Sequence, residues 1–314
     1  MTTAFVFPGQ GAQAVGMGKA LADAFPESAA VFAAVDEALG EKLSATIFEG
    51  PADALTLTAN TQPALMAVSL AAVAALATRG VTVADHAAFV AGHSLGEYSA
   101  LAAAGTFSLA DTARLLRLRG AAMQDAVPVG VGAMAALLNL ELDVVREIAA
   151  EAAGDEVCEA ANDNAPGQVV VSGHKAAVER AVEIAKGRGA RRAVILPVSA
   201  PFHCALMAPA ADAMAEALSK VEMAAPAVPL LANVTAAPVS DPAIIRDLLV
   251  QQVTGSVRWR ESVQRLADEG VTRFVEIGSG KALSGMIKRI APDAELFNVG
   301  SPDDLDAVAA ALGA

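Results

Sequence analysis

Apolar positions along this chain fall into two patterns: short continuous runs closed by glycine or proline, and longer Ala-rich stretches with helical spacing. Ala4 to Phe7 is apolar and β-prone, stops at Pro8-Gly9 and passes into the small-residue loop Gln10-Gly11-Ala12-Gln13. A backbone-rich loop at the end of a buried strand is a natural ligand site. Glu27 to Leu39 has a helical pattern, and a Pro-capped, Ala-rich helix is predicted over about Pro63 to Ala77. The uncharged stretch Ala54 to Thr78 is interrupted by Thr56, Thr58, Asn60, Thr61, Gln62 and Pro63, which leaves too short an apolar run to span a bilayer comfortably. It is expected as a buried helix of a soluble protein. Ala87 to Val90 predicts a short buried strand bounded by Gly92, with the next helix beginning directly after Ser94.

Between about Val129 and Leu196 the spacing changes. Ala133 to Leu138, Val157 to Ala161, Gln168 to Ser172 and Ala193 to Leu196 predict strands, Glu141 to Ala153 and Lys175 to Gly187 predict helices, and Asn162 to Gly167 predicts a turn cluster. The order β-α-β-β-α-β is that of a ferredoxin-like unit. Strands at about Pro229 to Ala232 and Arg273 to Ile277 then resume the earlier αβ alternation. The expected organisation is an α/β catalytic core with a parallel sheet over residues 1–127 and 199–314, and an inserted small subdomain over 128–198.

Composition narrows the function classes. Of 314 residues 54% are hydrophobic and 18% charged, as in a well-buried enzyme rather than a disordered chain. Twenty-two Lys+Arg against 35 Asp+Glu leave a net charge of −13, and aromatics are 4%, which argues against a broad basic or stacking surface for nucleic acid. Any basic binding site must be local. Two cysteines, Cys158 and Cys204, make no disulfide framework and match no zinc spacing, and the segment from Met1 lacks a secretory n-region. A cytoplasmic protein without metal is expected, acting off the membrane.

The strongest motif is Gly92-His93-Ser94-Leu95-Gly96, a match to the G-x-S-x-G nucleophile elbow, in which glycines permit a sharp strand-to-helix turn and present the serine at a helix N-terminus. The helix dipole and the Leu95 N–H can there stabilise an oxyanion. The plain alternative is an N-cap serine packed by glycines. A serine nucleophile needs a base, and the chain has four histidines: His86, His93, His174 and His203. Turn geometry points His93 away from its neighbour, and His86 and His174 fall in polar turns. His203, in Val198-Ser199-Ala200-Pro201-Phe202-His203-Cys204, follows a strand and precedes a helix, so it is the candidate base. Cys204 is expected as a small core residue. Gly9-Gln10-Gly11-Ala12-Gln13-Ala14 fits a dinucleotide fingerprint but lacks the acidic residue expected after a second strand; the Gln10 N–H aimed at the serine is the better use of the loop. On the helix carrying Arg114, Arg117 and Arg119, positions 115, 118 and 119 share a face, which puts Arg119 on the apolar side and Arg117 in solvent. A buried arginine needs an anion, supplied by an ion pair or by a ligand. Lys186, Arg188, Arg191 and Arg192 form a solvated turn or a local docking patch.

These residues together resemble the stand-alone malonyl-CoA:acyl carrier protein transacylases of type II fatty acid synthesis. The resemblance runs in order through Phe7 to Gln13, Gly92 to Tyr98, Arg117-Leu118-Arg119-Gly120, Asn162 to Val171 and Pro201-Phe202-His203. It continues through Gln252, Val257-Arg258-Trp259 and Ile277 to Leu283, and so covers nearly the whole chain. Ala12 and Ser279 depart from the Ser and Pro of many members. The resemblance implies a hydrolase-like α/β core with a ferredoxin-like insert, Ser94 as the acylated nucleophile and His203 as its base. Gln10 and Leu95 would supply the oxyanion N–H groups, Arg119 would bind the malonyl carboxylate, and Gln252 would orient His203 through its main-chain carbonyl. Asn162, in a matched segment, and Gln252 would help bind the substrate, and Phe202, also a substrate-binding residue, would crowd the malonyl α-carbon against methylmalonyl. The substrate implied is a coenzyme A thioester with no bound cofactor; the protein partner is an acidic acyl carrier protein, docking on a monomer at Lys186 to Arg192 or at Lys281, Lys288 and Arg289. The competing readings are an α/β-hydrolase thioesterase or esterase, whose histidine falls late in the chain whereas none follows His203 here, and a transacylase serving a polyketide pathway.

Overall fold

The computed structural model describes residues 1–314. Ten strands follow in chain order: β1 (Thr2–Phe7), β2 (Phe89–Gly92), β3 (Gly132–Leu138), β4 (Cys158–Ala165), β5 (Gln168–His174), β6 (Arg192–Ile195), β7 (Leu230–Ala232), β8 (Ala237–Val239), β9 (Val271–Ile277) and β10 (Glu295–Val299). They form two sheets, one of six strands in the order β10-β9-β1-β2-β7-β8 and one of four in the order β4-β5-β3-β6. The first is parallel except for the β7–β8 hairpin, and the second is antiparallel throughout. Central strands of a parallel sheet are covered on both faces, which is why β1 and β2 are nearly unbroken apolar runs. The edge strands β8 and β10 carry weaker patterns, and sequence spacing did not predict them.

The small sheet has its own core. Seventeen buried residues between Ala133 and Ala185 pack under helices Leu142–Ala153 and Lys175–Gly187, separate from the main cluster that runs from Phe5 to Ala309. Each helix of this unit shows one apolar stripe, as two-layer packing requires.

Several local expectations need correction. The apolar helix begins at Thr58, and Pro63 lies inside it. Proline has no N–H, so the carbonyl four residues back, on Ala59, loses its helical partner. Arg117 supplies one, Nη1 donating to the Ala59 oxygen at 2.8 Å. Arg117 is therefore half-buried and structural rather than solvent-facing, while Leu118, expected on the apolar face, is 40% exposed. The helix Thr58–Ala77 is long and apolar enough to cross a membrane, yet 78% of its most apolar window is buried within the fold. Finally, Asn162 to Ala165 belong to β4, and only Pro166-Gly167 make the turn. Asn and Asp favour turns because their side chains bond nearby backbone; here Asp163 instead pairs with Arg260 at 2.8 Å, and Asn164 reaches His93.

Candidate active site

The parallel sheet gathers the site at the carboxyl ends of its strands, where open α/β sheets bind ligands. β1 leads into Pro8-Gly9-Gln10, β2 into His93-Ser94, and β7 into Asn233. Ser94 takes φ 52°, a left-handed conformation, just before the helix Gly96–Ala103. The glycines around it are required by contact: a Cβ on Gly92 would stand 1.9 Å from the Gly96 oxygen, and one on Gly96 2.2 Å from the Phe7 oxygen. Asn233 braces the turn from both ends, accepting from Ser94 N–H at 2.8 Å and donating to the Gly92 carbonyl at 2.7 Å.

Ser94 Oγ lies 2.8 Å from His203 Nε2. The opposite nitrogen, Nδ1, is 2.9 Å from the main-chain carbonyl of Gln252. Because that carbonyl only accepts, the proton of the neutral ring sits on Nδ1 and the Nε2 lone pair faces the serine hydroxyl. Burial first, and the Arg119 charge second, push His203 down to about 3. His203 also sits at φ 59° and is 4% exposed, with a hydrogen bond at each ring nitrogen.

Arg119, 1% exposed, projects from the helix Leu109–Asp125 to the same serine, with Nη2 3.1 Å from Ser94 Oγ. Its other partners are neutral side-chain amides: Nη1 donates to Gln62 Oε1 and Nη2 to Gln252 Oε1, each at 2.7 Å. Nε is buried without a partner, and the guanidinium carbon lies 5.6 Å from the Tyr98 ring. This buried cation therefore has no direct ion pair, and its Nε–H is without an acceptor.

Gln252 and Phe202 are buried beside His203, and Gln10, in the loop after β1, has Nε2 3.3 Å from Thr58 Oγ1. Leu95 follows the serine as the N-cap of the helix Gly96–Ala103. Asn162 is buried on β4, bridged to Val257, with no hydrogen bond to Ser94 or His203. His93 turns away from Ser94 toward Asn164 at 2.8 Å and Trp259 at 5.8 Å. Cys158 and Cys204 are buried and free, their thiols pushed up to about 12 and about 11 by burial. Spacing did not single out Glu97, Asn233, Asn164 or Gln62. Glu97 is 1% exposed and accepts from Gln252 Nε2 at 2.5 Å; burial pushes its carboxyl up to about 8, against the pull of its N–H donors and Arg119. The available signal was position: Asn233 directly follows a strand of the parallel sheet, and Glu97 lies three residues beyond the elbow serine.

At the periphery, the two basic segments meet. Arg191, Arg192 and Arg289 line one cavity of about 630 Å³ with Leu138, Asn139, Pro166 and Gly167. Lys186 is neutralised by Glu183, and Arg188 by Glu147 and Glu151. Arg289 bonds only neutral acceptors, Gln168 Oε1 and the Pro166 carbonyl, and keeps its charge. Elsewhere, Ser279 Oγ donates to the Ala12 carbonyl at 2.6 Å, so the two departures from the family pattern touch each other.

The acyl transferase domain family matches residues 4–290. The malonyl CoA-acyl carrier protein transacylase of Escherichia coli K12 is 46% identical over 309 residues, covering 98% of both chains. The crystal structure of the acyl-carrier-protein-S-malonyltransferase from Bartonella henselae superposes with a TM-score of 0.98 at 57% identity, covering 100% of each chain. A type II polyketide synthase acyl carrier protein in complex with its malonyl-transacylase matches with TM-score 0.96 at 40% identity, covering 99% of this chain and 100% of that one. A serine, its histidine and a buried arginine converge in a chain alike from end to end with these proteins; the chain belongs to the acyl transferase domain family, among its malonyl-CoA:acyl carrier protein transacylases.

Proposed function

We propose that this chain transfers malonyl from coenzyme A to the phosphopantetheine thiol of an acyl carrier protein by a ping-pong route through malonyl-Ser94, supplying extender units for fatty acid synthesis. The observation that carries the reading is one serine oxygen within hydrogen-bond reach of both a neutral imidazole and a buried guanidinium. Ser94 Oγ attacks the thioester carbonyl and gives its proton to His203 Nε2. The Gln10 and Leu95 N–H groups receive the developing oxyanion. Collapse breaks the C–S bond, and the imidazolium returns its proton to the departing sulfur, a step favoured because burial disfavours the charged ring. In the second half the carrier thiol gives its proton to His203, attacks the Ser94 ester, and the serine leaves with that proton. Gln252 orients the ring with a neutral carbonyl where a hydrolase triad uses a carboxylate, which weighs against the thioesterase reading. Arg119 takes the free malonyl carboxylate and favours malonyl over acetyl, and Phe202 limits room at the α-carbon.

The elbow at the carboxyl edge of a parallel sheet supports a hydrolase-like core over 1–127 and 199–314. The strand order β4-β5-β3-β6 and the separate apolar cluster support a ferredoxin-like unit over 128–198. Two free, buried thiols fit a reducing cytoplasm.

Intact-mass measurement after malonyl-CoA tests the reading. Wild type is expected to gain one malonyl, Ser94→Ala none, and a chase with holo carrier, but not with buffer, should move the malonyl to the carrier. Label on Ser94→Ala, or its loss to buffer at the same rate, would sink the assignment.

A further inference from the structure

Glu97 lies within the first turn of the helix that follows Ser94, and it is 1% exposed. A carboxyl this deep needs donors. It has two, both from the site: the Asn233 N–H at 3.4 Å on Oε1 and the Gln252 side-chain Nε2 at 2.5 Å on Oε2. The same Nε2 donates to the Ser94 carbonyl at 2.9 Å, while Gln252 Oε1 accepts from Arg119 at 2.7 Å. Turning the amide over would set its NH₂ against the guanidinium and its oxygen against the Ser94 carbonyl, so its donor end belongs on Glu97. The bond survives in either protonation state, because a neutral carboxyl keeps an acceptor oxygen.

The intervening amide matters. A direct Glu97–Arg119 ion pair would occupy the N–H groups that an acyl carboxylate needs. A carboxyl one amide away positions the cation and leaves those donors open.

Resting on the reading of Arg119 as the ligand of the malonyl carboxylate, we infer that Glu97 is a positioning residue for acyl selection: it anchors the Gln252 amide and thereby holds Arg119 at Ser94. The Glu97 carboxyl makes no hydrogen bond to Ser94 Oγ or His203. Its loss should therefore show in the choice of acyl group more than in the chemistry.

The test is the rate of acylation of the full chain by malonyl-CoA and by acetyl-CoA, followed by intact mass, in Arg119→Ala, Glu97→Ala, Glu97→Asp and Glu97→Gln. Glu97→Ala and Glu97→Asp withdraw the acceptor and should lower the malonyl-to-acetyl ratio of kcat/KM about tenfold; Glu97→Gln keeps one acceptor and should lower it by about threefold or less. A purely structural role would lower both rates in parallel, and that result, or a wild-type ratio in Glu97→Asp, overturns the inference. Should Glu97→Ala not fold, the Asp and Gln variants decide. If Arg119→Ala keeps the wild-type ratio, the Arg119 reading and the inference fall together; if only Arg119→Ala collapses it, Glu97 alone is excluded. Added to Arg119→Ala, Glu97→Ala should leave the ratio where it stands, and a further full drop would mean that Glu97 acts by another route.

Discussion

Four non-glycine residues take positive φ, Ser94, Asn139, His203 and Ala236, and two of them, Ser94 and His203, are hydrogen-bonded to each other. Such conformations cost about 1–3 kcal/mol each and persist only where surroundings fix them. Here Asn233 holds the serine turn and the Gln252 carbonyl holds the imidazole. The lowered pKa of His203 gives a signed prediction. The ring must be neutral to accept the serine proton, and burial with Arg119 keeps it so down to about pH 3. The acylation kcat/KM with malonyl-CoA should therefore stay flat from about pH 8 to about pH 5; an acid limb at the ordinary imidazole value would contradict this. The linkage has the opposite sense for stability. Between the free imidazole value and about 3 the unfolded chain binds more protons than the folded one, so this residue's contribution falls as pH drops through that window. The elbow glycines give a second residue-scale test. In Gly92→Ala the new Cβ would meet a backbone oxygen that cannot swing aside. A loss of about 2–3 kcal/mol in denaturant unfolding, with loss of malonyl uptake, is expected; near-native stability would show that the turn relaxes.

One helix, Leu109–Asp125, carries two arginines two residues apart with opposite duties. Arg117 supplies the donor that Pro63 denies to the Ala59 carbonyl of a neighbouring helix, and Arg119 reaches Ser94 Oγ. Arg117→Ala should cost about 1–2 kcal/mol by leaving the Ala59 carbonyl unpaired, while the malonyl-to-acetyl ratio stays at the wild-type value; a changed ratio would mean that the two residues are coupled through the helix. This pair also marks where sequence reading succeeds and where it stops. Ser94 was legible because a strand, paired glycines and a helix start are all local signals, and His203 because the histidines are few. Helical spacing brought Arg119 to the apolar side but put Leu118 there too, and it left Arg117 in solvent. It cannot register that a proline on another helix frees a carbonyl. Asn162 to Ala165 look like a turn because their type favours one, but their backbone pairs with β5, and Arg260 and His93 take the side chains of Asp163 and Asn164. Glu97 and Asn233 lie 136 residues apart and acquire meaning only when β2 and β7 pair.

At the scale of the molecule, a net charge of −13 opposes any acidic partner, so productive encounter must depend on where the positive charge sits. Two basic segments far apart in sequence meet in the cavity lined by Arg191, Arg192 and Arg289, while Lys186 and Arg188 are spent on glutamates. The docking reading thus concentrates on three arginines. Two of them stand at the start of β6, in the small sheet, and the third ends the helix Ala282–Ile290 of the main unit. An acidic surface set against this cavity would meet arginines from both units at once. Arg191→Glu with Arg192→Glu should raise the KM for holo carrier about tenfold or more and flatten its salt dependence, because rim charges act mainly on encounter. Malonyl uptake from coenzyme A into Ser94 should remain at the wild-type rate if the thioester follows another path to the site. Lys186→Glu, which removes a charge already paired, should change carrier KM far less. Equal effects from the paired and unpaired positions would indicate that net charge alone governs encounter, and unchanged carrier kinetics in the double variant would move docking to another face.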